Sequence, residues 1–450
     1  MKLIRNNVWG MAPGGASSSQ RWSRWNVVVP AAGGKAVFNT WTGAVVLMEQ
    51  EEYDSAMSEP SKVPPILTTA GIVVGSDVDE AALWAEGYQA GKNDESSLDL
   101  TIAVTMQCQF RCVYCFEGNR KAGSLDEAGI EAIKRYVERR RGLLKILRVT
   151  WFGGEPLMNM PAIRELSDFF IAFCEENGVK YVADMTTNGY ALTHTTVHEL
   201  VDCCNVMRYI ITVDGPEAVH DRRRPLHNGR GTFAVIWKNI HHLVEAGAHV
   251  TVRVTIDRQN AGHIRELIDN IAESGMAGKV YLALVKTFDY ASTPQEMRED
   301  IQTLKEFSDL EVELTAYAQS LGVMRFTTPR PCPQGGCLRK GDVVIGTSGH
   351  IYKCLDTLGE EEWICGHVDE METGEAQWFA DWENWNPVNN GKCSKCPLLP
   401  LCNGGCPHNV LFTTKKHGTE DHCPDWVYTY RPHLRMYVED KIERKEYEEI

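Results

Sequence analysis

Between about residues 98 and 285, short runs rich in Val and Ile alternate with longer stretches whose apolar residues recur every three to four positions. The runs LDLTIAVT, ILRVTWF, YVADMTT, MRYIITV, HVTVRVTID and KVYLALV read as strands. Residues 126–141, 161–177, 194–203, 233–247 and 262–274 read as amphipathic helices between them. Repeats of this kind predict a parallel sheet covered by helices, because strands buried on both faces read as near-continuous apolar runs. Right-handed crossovers roll such a sheet into an open or partial barrel, with functional residues at the C-terminal ends of its strands. A longer helix near 295–321 closes this part.

The flanks keep a different pattern. In residues 1–95, RWNVVVP and KAVFNTWTG read as strands joined by the turn AAGG, and GAVVLMEQ as a third strand. EEYDSAMS reads as a short helix, ILTTAGIVV ends in another apolar run, and DVDEAALWAEGYQAGKND reads as a helix capped by Asp77 or Asp79. Residues 326–430 have many glycines and prolines, little periodicity, and most of the chain's 15 cysteines. Such a stretch builds little apolar core by itself and is expected to use metal as its staple. Residues 431–450, with VEDKIERKEYEEI, read as a charged, solvated helical tail.

With 450 residues, 43% of them hydrophobic and 24% charged, the chain has material for two or three domains. Its net charge of −15 argues against general nucleic-acid binding. No apolar run approaches the roughly 20 residues of a membrane span, and MKLIRNNVWGMAPGG lacks the apolar segment of a secretory signal. The expected location is therefore the cytoplasm, away from membranes. Disulfides are disfavoured there, so an odd number of clustered cysteines points to metal.

Cys108, Cys112 and Cys115 have the spacing C-x3-C-x2-C in VTMQCQFRCVYCFEG, just past the first barrel strand. A structural zinc takes four closed ligands, and a cubane iron–sulfur cluster takes one ligand per iron. Three local thiolates leave two readings. Either a fourth ligand comes from afar, such as Cys174, Cys203 or Cys204, or one iron stays open to an exogenous ligand. The second strand ends in WFGGEP, where Gly153 and Gly154 permit close backbone approach and Glu155 offers a carboxylate. The third and fourth strands end in MTTNG and ITVDGP, placing Asn188 and Asp214 at the rim; the fifth carries Arg253, with Asn260 in the loop beyond. An Arg facing the inside of a barrel needs a carboxylate partner. HDRRRP, residues 220–225, reads as a basic loop that either grips substrate or is solvated.

The cysteine triplet, with Tyr114 just before Cys115, resembles the C-x3-C-x-aromatic-C signature of the radical S-adenosylmethionine superfamily, and WFGGEP resembles that family's GGEP motif. The resemblance implies a 4Fe–4S cluster on Cys108, Cys112 and Cys115, whose open iron takes the amino and carboxylate groups of S-adenosylmethionine. It implies that Tyr114 lies near the adenine and that Gly153, Gly154 and Glu155 hold the ammonium. Asn188 and Asp214 would serve the ribose or methionine, and Arg253 the carboxylate. An electron from a flavodoxin- or ferredoxin-type reductant would then release a 5′-deoxyadenosyl radical, which takes hydrogen from an unactivated carbon.

Further on, Cys337 is followed by Gly349 and Cys354, and then by Cys393-x2-Cys396-x5-Cys402-x3-Cys406-x16-Cys423. By spacing alone, Cys393 and Cys396 also suit a zinc knuckle. The whole order resembles the SPASM extension of radical enzymes that modify peptides. It implies two auxiliary 4Fe–4S clusters, three clusters in all. One would use Cys337, Cys354, Cys406 and, just upstream, Cys332; the other would use Cys393, Cys396, Cys402 and Cys423. Without Cys332 the first would have an open iron, free for a substrate thiolate. Cys365 lies outside the pattern and reads as a buried thiol, and Cys174, Cys203 and Cys204 read as core residues of helices.

Residues 1–95, with FNTWTGAVVLMEQEEY, resemble the winged-helix-like precursor-peptide recognition element of ribosomal peptide maturases, which binds a leader peptide by strand addition. The expected α/β architecture is thus a partial (β/α)6 barrel over 96–325, between that module and a cysteine-rich iron–sulfur domain over 326–430. The resemblance implies a maturase that crosslinks a ribosomally made precursor, with a thioether from a Cys sulfur to carbon favoured. A carbon–carbon crosslink is the nearest alternative. Formylglycine formation by an anaerobic sulfatase maturase ranks third, because that enzyme has an aspartate after the cysteine matching Cys354, where this chain has Leu355 and then Asp356. A non-catalytic, metal-scaffolded peptide-binding protein is the alternative from another class.

Overall fold

The computed structural model describes residues 1–6, 19–115, 123–289, 293, 295–325, 336–372, 377–413 and 423–450. The chain divides into two compact units. One comprises Met1–Asn93, Phe326–Arg339 and Asp381–Ile450; the other comprises Asp94–Arg325 and Lys340–Ala380.

The first unit opens with an antiparallel sheet of β1 (Lys2–Arg5), β2 (Asn26–Ala31), β3 (Gly34–Asn39) and β4 (Val45–Met48). Ala32 and Gly33, both at positive φ, form the two-residue loop that matches the twist of the β2–β3 hairpin. Helix α1 (Gln50–Ser58) follows, and a ribbon of Gln20–Trp22 with Val73–Gly75 precedes helix α2 (Glu80–Lys92). Of the two candidate caps, Asp79 starts α2, its carboxylate accepting from the amides of Ala81 and Ala82.

The second unit is built on β5 (Ser97–Thr105), β6 (Ile146–Gly153), β7 (Lys180–Thr187), β8 (Val206–Thr212), β9 (His249–Ile256) and β10 (Val280–Lys286). All six pair in parallel and in sequence order, which gives the expected partial (β/α)6 barrel. Its helices are α3 (Glu127–Glu138), α4 (Met160–Asn177), α5 (Phe233–Glu245), α6 (Ile264–Glu273) and α7 (Leu304–Ser320). Val250, Val252 and Val254 of β9 are buried in the core that includes Ile240, Leu243, Leu267 and Ile271 of the helices. Thr251 and Arg253 point to the other face and are half-buried. On that face Asp99 pairs with Arg148 at 2.6 Å, and Asp184 with Arg208 at 2.7 Å, each pair in register on neighbouring strands. The inner face is therefore polar and open, unlike a closed barrel filled by branched side chains.

Three sequence expectations change. The helix expected at 295–321 is a short turn, Gln295–Arg298, and then α7, because Thr303 and Glu306 form a capping box that starts a new helix. Residues 194–203 are a short helix, His194–His198, that runs into a π turn, Glu199–Cys203. Cys174 and Cys204 are buried as expected, but Cys203 is exposed. Residues whose sequence shows little periodicity extend the barrel sheet. Strand β11 (Asp342–Ile345) pairs parallel to β5, and β12 (His350–Tyr352), β13 (Gly366–His367) and β14 (Met371–Glu372) add antiparallel beyond it. Cys365 is buried there, its thiol 3.3 Å from the Ile351 carbonyl oxygen.

The tail expected to be solvated is packed. Helix α8 (Trp426–Glu443) carries Tyr430, Leu434, Tyr437 and Val438 at i, i+4, i+7 and i+8, all buried with Val27, Val29, Phe38 and Leu47. Its final strand, β15 (Glu448–Glu449), pairs with β1, so the sheet order is β15-β1-β4-β3-β2. Among the described residues, no helix is long and apolar enough to cross a membrane.

Candidate functional site

The loop after β5 that carries Cys108, Cys112 and Cys115 is fastened on two sides. On one side it zips to the segment after the helical turn Glu217–Arg223. The amides of Arg111 and Val113 donate to the carbonyls of Pro225 and Arg223 at 2.8 and 3.0 Å, and the His227 amide donates to Gln109 at 3.1 Å. On the other side it meets the end of β6. The amides of Gly154 and Glu155 donate to Thr105 and Gln107 at 3.0 and 2.8 Å. This approach explains the glycine pair. A Cβ on Gly153, whose φ is +134°, would lie 2.0 Å from the Thr105 carbonyl oxygen; one on Gly154 would lie 2.6 Å from those of Met106 and Gln107. Gly153→Ala is expected to destabilise this unit by about 3 kcal/mol and to lower its iron content, both measurable by denaturation and iron assay of one preparation.

Glu155 is fully buried. It accepts from the Thr187 hydroxyl at 2.6 Å, the Asn188 amide at 2.7 Å and the Leu157 amide at 3.1 Å. Burial raises its pKa, and these hydrogen bonds oppose the rise. Asn188 is thereby turned towards the cysteine loop, where its Nδ2 lies 3.8 Å from Cys108 Sγ and its Oδ1 accepts from Gln109 at 3.4 Å. The amide of Phe110 also points at Cys108 Sγ, at 3.4 Å.

A second buried network supports Tyr114. Its hydroxyl donates a short bond to Asp214 and accepts from Arg224 at 2.8 Å. Arg223 lies 5.1 Å above its ring and makes ion pairs with Asp214 at 3.4 Å and Asp257 at 2.8 Å. Asp214 is fully buried; its other oxygen accepts from the Thr255 amide at 3.1 Å, so its visible bonds all run to protein groups. Asn260 is tied similarly, donating to the carbonyls of Asp214 and Thr255 at 2.8 Å. His220 takes the Asp214 amide on Nδ1 at 3.3 Å, and burial followed by the charge of Arg224 pushes its pKa down to about 3. The arginines of HDRRRP thus divide: Arg223 and Arg224 are buried beneath the cysteine loop, and Arg222 is exposed. Charge alone gave no means of separating them in the sequence.

Burial pushes the Cys108 thiol up to about 11 and the Cys112 thiol up to about 12, with Arg224 partly offsetting the latter. Cys115 adds to both shifts, so the three sulfurs form one electrostatic group. Among the described residues, no three Cys, His, Asp or Glu side chains converge tightly enough to share a single ion. A cubane asks for something else, one thiolate for each of three irons, and three thiols on one loop, two of them half-buried with raised pKa values and one exposed, fit that demand. Among the described residues, Gln109 Oε1 on the cysteine loop and Arg253 Nε on β9 are buried without a hydrogen-bond partner, as is Arg224 Nε beneath the loop. An acceptor and a cationic donor left open in this way suit the ammonium and carboxylate of an amino-acid ligand. Gln109 is a candidate that the sequence motifs did not single out.

The first unit carries Cys393, Cys396, Cys402 and Cys423. The Cys402 thiol is pushed up to about 12, first by burial and then by the other three. Tight turns shape the group: the Cys396 amide donates to Cys393 at 3.0 Å, and Asn403, Gly404 and Gly405 all have positive φ. Cys337 and Cys406 belong to the same unit, Cys354 belongs to the barrel unit, and Cys332 lies outside the described residues.

Comparison with known proteins agrees with this geometry. Residues 102–271 match the radical SAM superfamily. The cysteine-type anaerobic sulfatase-maturating enzyme of Clostridium novyi is 22% identical over 68% of this chain and 86% of its own length. The serine-type enzyme of Klebsiella aerogenes is 22% identical over 67% and 78%. Among solved structures, native anSMEcpe with bound AdoMet and Kp18Cys peptide superimposes with a TM-score of 0.59 at 16% identity, covering 78% of this chain and 99% of that one. Streptococcus suis SuiB bound to precursor peptide SuiA gives 0.51 at 14% identity, covering 86% and 95%. Residues 102–271, which hold the cysteine loop, the glycine pair, Glu155 and the Asp214 network, are a radical SAM domain.

Proposed function

We propose that the chain is a radical S-adenosylmethionine enzyme that crosslinks a ribosomally made precursor peptide, joining a cysteine sulfur to a carbon as a thioether. The observation that carries the reading is the cysteine loop, two half-buried thiols, Cys108 and Cys112, and one exposed thiol, Cys115, on a loop clamped between the end of β6 and the Arg223–Pro225 segment. With a 4Fe–4S cluster and S-adenosylmethionine bound, such a site supplies a 5′-deoxyadenosyl radical that takes hydrogen from an unactivated carbon. Cys108, Cys112 and Cys115 hold the cluster. Arg253 meets the cofactor carboxylate, and Gln109, Gly153, Gly154 and Glu155 meet its ammonium. Asn188 orients Cys108, and Asp214 acts through Tyr114 and Arg223. Cys393, Cys396, Cys402 and Cys423 hold one auxiliary cluster, and Cys337, Cys354, Cys406 and Cys332 hold another. A flavodoxin- or ferredoxin-type protein supplies electrons.

A peptide substrate is supported by two neighbours solved with peptides bound, anSMEcpe and SuiB. SuiB matches more of this chain, 86% against 78%. In the N-terminal sheet β15 and β2 are the edge strands among the described residues, and although the Val28 carbonyl of β2 accepts from Arg431 at 3.1 Å, β2 is the edge to which a leader strand would add. Formylglycine formation is the second reading, favoured by the sulfatase-maturating relatives, with Leu355 after Cys354 against it.

Co-expression with short peptides encoded beside this gene, followed by mass spectrometry, tests the proposal. The expected product has lost two hydrogens and no longer alkylates at cysteine. Loss of two hydrogens with free thiols means a carbon–carbon link, an aldehyde in place of a thiol means formylglycine, and unmodified peptides with intact cofactor cleavage sink the peptide-maturase reading.

A further inference from the structure

Helix α5 follows β8 and helix α6 follows β9, so the two cover neighbouring strands of the barrel unit. A groove of about 530 Å³ lies between them, lined by Phe233 and Trp237 of α5, Glu266 and Glu273 of α6, and Pro216 and Glu217 of the segment after β8. One end of the groove is at the barrel rim, because Pro216 and Glu217 come two and three residues after Asp214 and Phe233 opens α5. Its wall is aromatic. Phe233 and Trp237 stack with ring centroids 5.1 Å apart and planes 18° from parallel, and the ring of His220 meets Phe233 edge-on at 5.8 Å. Both rings are half-buried, so part of each faces the groove. Its border is acidic and not neutralised. Carboxylates on other helices take cations: Glu131 and Glu165 share Lys134, Glu306 takes Arg258, and Glu313 takes Arg265, the residue before Glu266. Glu217, Glu266 and Glu273 are exposed, and their carboxylates have no hydrogen-bond or ion-pair partner among the described residues. Glu273 stands in the last turn of α6, where the helix dipole disfavours a carboxylate and no basic residue offsets it.

A guanidinium matches every part of this groove: its plane stacks on aromatic rings, and its fork of N–H groups pairs with carboxylates. We infer that the groove binds an arginine-bearing segment of the precursor peptide, away from the residue that reacts. Charge complementarity selects a basic occupant. The stacked rings favour guanidinium over ammonium. The start of the groove at the rim, just past Asp214, lets a chain that leaves the barrel continue into it. Glu266 and Glu273, seven residues apart on one helix, are about 10.5 Å apart along its axis. Side chains three residues apart in an extended peptide are separated by about 10 Å, so two arginines with that spacing reach both. The inference rests on the peptide-maturase reading and adds to it a means of selecting the peptide.

The test begins with fluorescence anisotropy of the full-length protein and three labelled nonapeptides, with arginine, lysine or glutamate at every third position among glycines. The arginine peptide is expected to bind most tightly and the glutamate peptide not at all. Glu266→Gln together with Glu273→Gln should weaken the arginine peptide about tenfold, the effect of two exposed ion pairs, and Trp237→Leu about threefold. Glu127→Gln with Glu175→Gln, equal in charge but outside the groove, should change nothing. Equal weakening by both pairs means general attraction to an acidic protein and overturns the inference, as does a wild type that does not distinguish the three peptides. The groove pair should unfold at the wild-type temperature or above it, since Glu273 opposes its own helix dipole; a lower temperature makes these carboxylates supports of the fold and overturns the inference. The occupant is tested with the peptide that co-expression yields, whose KM the groove pair should raise about tenfold rather than lower kcat. An unchanged KM gives the groove to another basic polypeptide and overturns the inference. If co-expression yields no modified peptide, the maturase reading has failed and takes this occupant with it, whereas binding without charge selectivity, with a modified peptide in hand, is a failure of the groove alone.

Discussion

Replacing Cys108, Cys112 and Cys115 together with alanine reduces S-adenosylmethionine cleavage to background and removes about four irons per chain, leaving the auxiliary irons in place. The selectivity follows from where the cysteines lie. The barrel triplet sits on one loop, whereas Cys393, Cys396, Cys402 and Cys423 belong to the other unit. Loading of the barrel site should also depend on pH in a defined sense. The Cys108 and Cys112 thiols are pushed up to about 11 and about 12, so at neutral pH iron must displace two protons that the site holds firmly. Reconstitution is therefore expected to be faster at pH 8.5 than at pH 7, as read by the growth of cluster absorbance. A triple variant that still cleaves the cofactor would end the assignment of this loop.

Arg223→Met is expected to cost about 3–5 kcal/mol in denaturant unfolding of the barrel unit. Asp214 and Asp257 are both fully buried, and Arg223 bridges them. Removing the cation leaves two carboxylates out of water with a smaller set of hydrogen bonds, and repulsion between them adds to the desolvation. Its backbone carbonyl would still receive the Val113 amide. The loss should therefore appear first as weaker stability and a displaced Tyr114, before the cysteine loop detaches. Adding Asp257→Asn should restore part of the loss by removing one stranded charge. A change below about 1 kcal/mol in the single variant would mean that the bridge is not what holds this network.

The barrel strands were readable because a sheet covered by helices leaves continuous runs such as LDLTIAVT and HVTVRVTID. Other features carried no comparable trace. Strands β11 to β14 have only two to four residues each, below the length at which alternation can register. The tail was misread because its charged end hides an apolar stripe that begins earlier, at Tyr430. Arg223 and Arg224 looked like any basic cluster, since their burial depends on partners at the ends of other strands, Asp214 and Asp257 for Arg223 and Tyr114 for Arg224. The glycine pair was recognised as permitting close approach, but what approaches it, the Thr105–Gln107 backbone, became visible only in three dimensions.

Strand β11 lies directly against β5, and β12, which ends two residues before Cys354, lies against β11. Cys354 and the cysteine loop after β5 are consequently mounted on one hydrogen-bonded ruler whose rungs are about 4.8 Å apart. Electron tunnelling falls exponentially with separation, and for the clusters proposed at these two places the separation would be set by backbone ladders rather than by the drift of a linker, so charge would pass between them at a steady rate while loops elsewhere adjust to the proposed peptide.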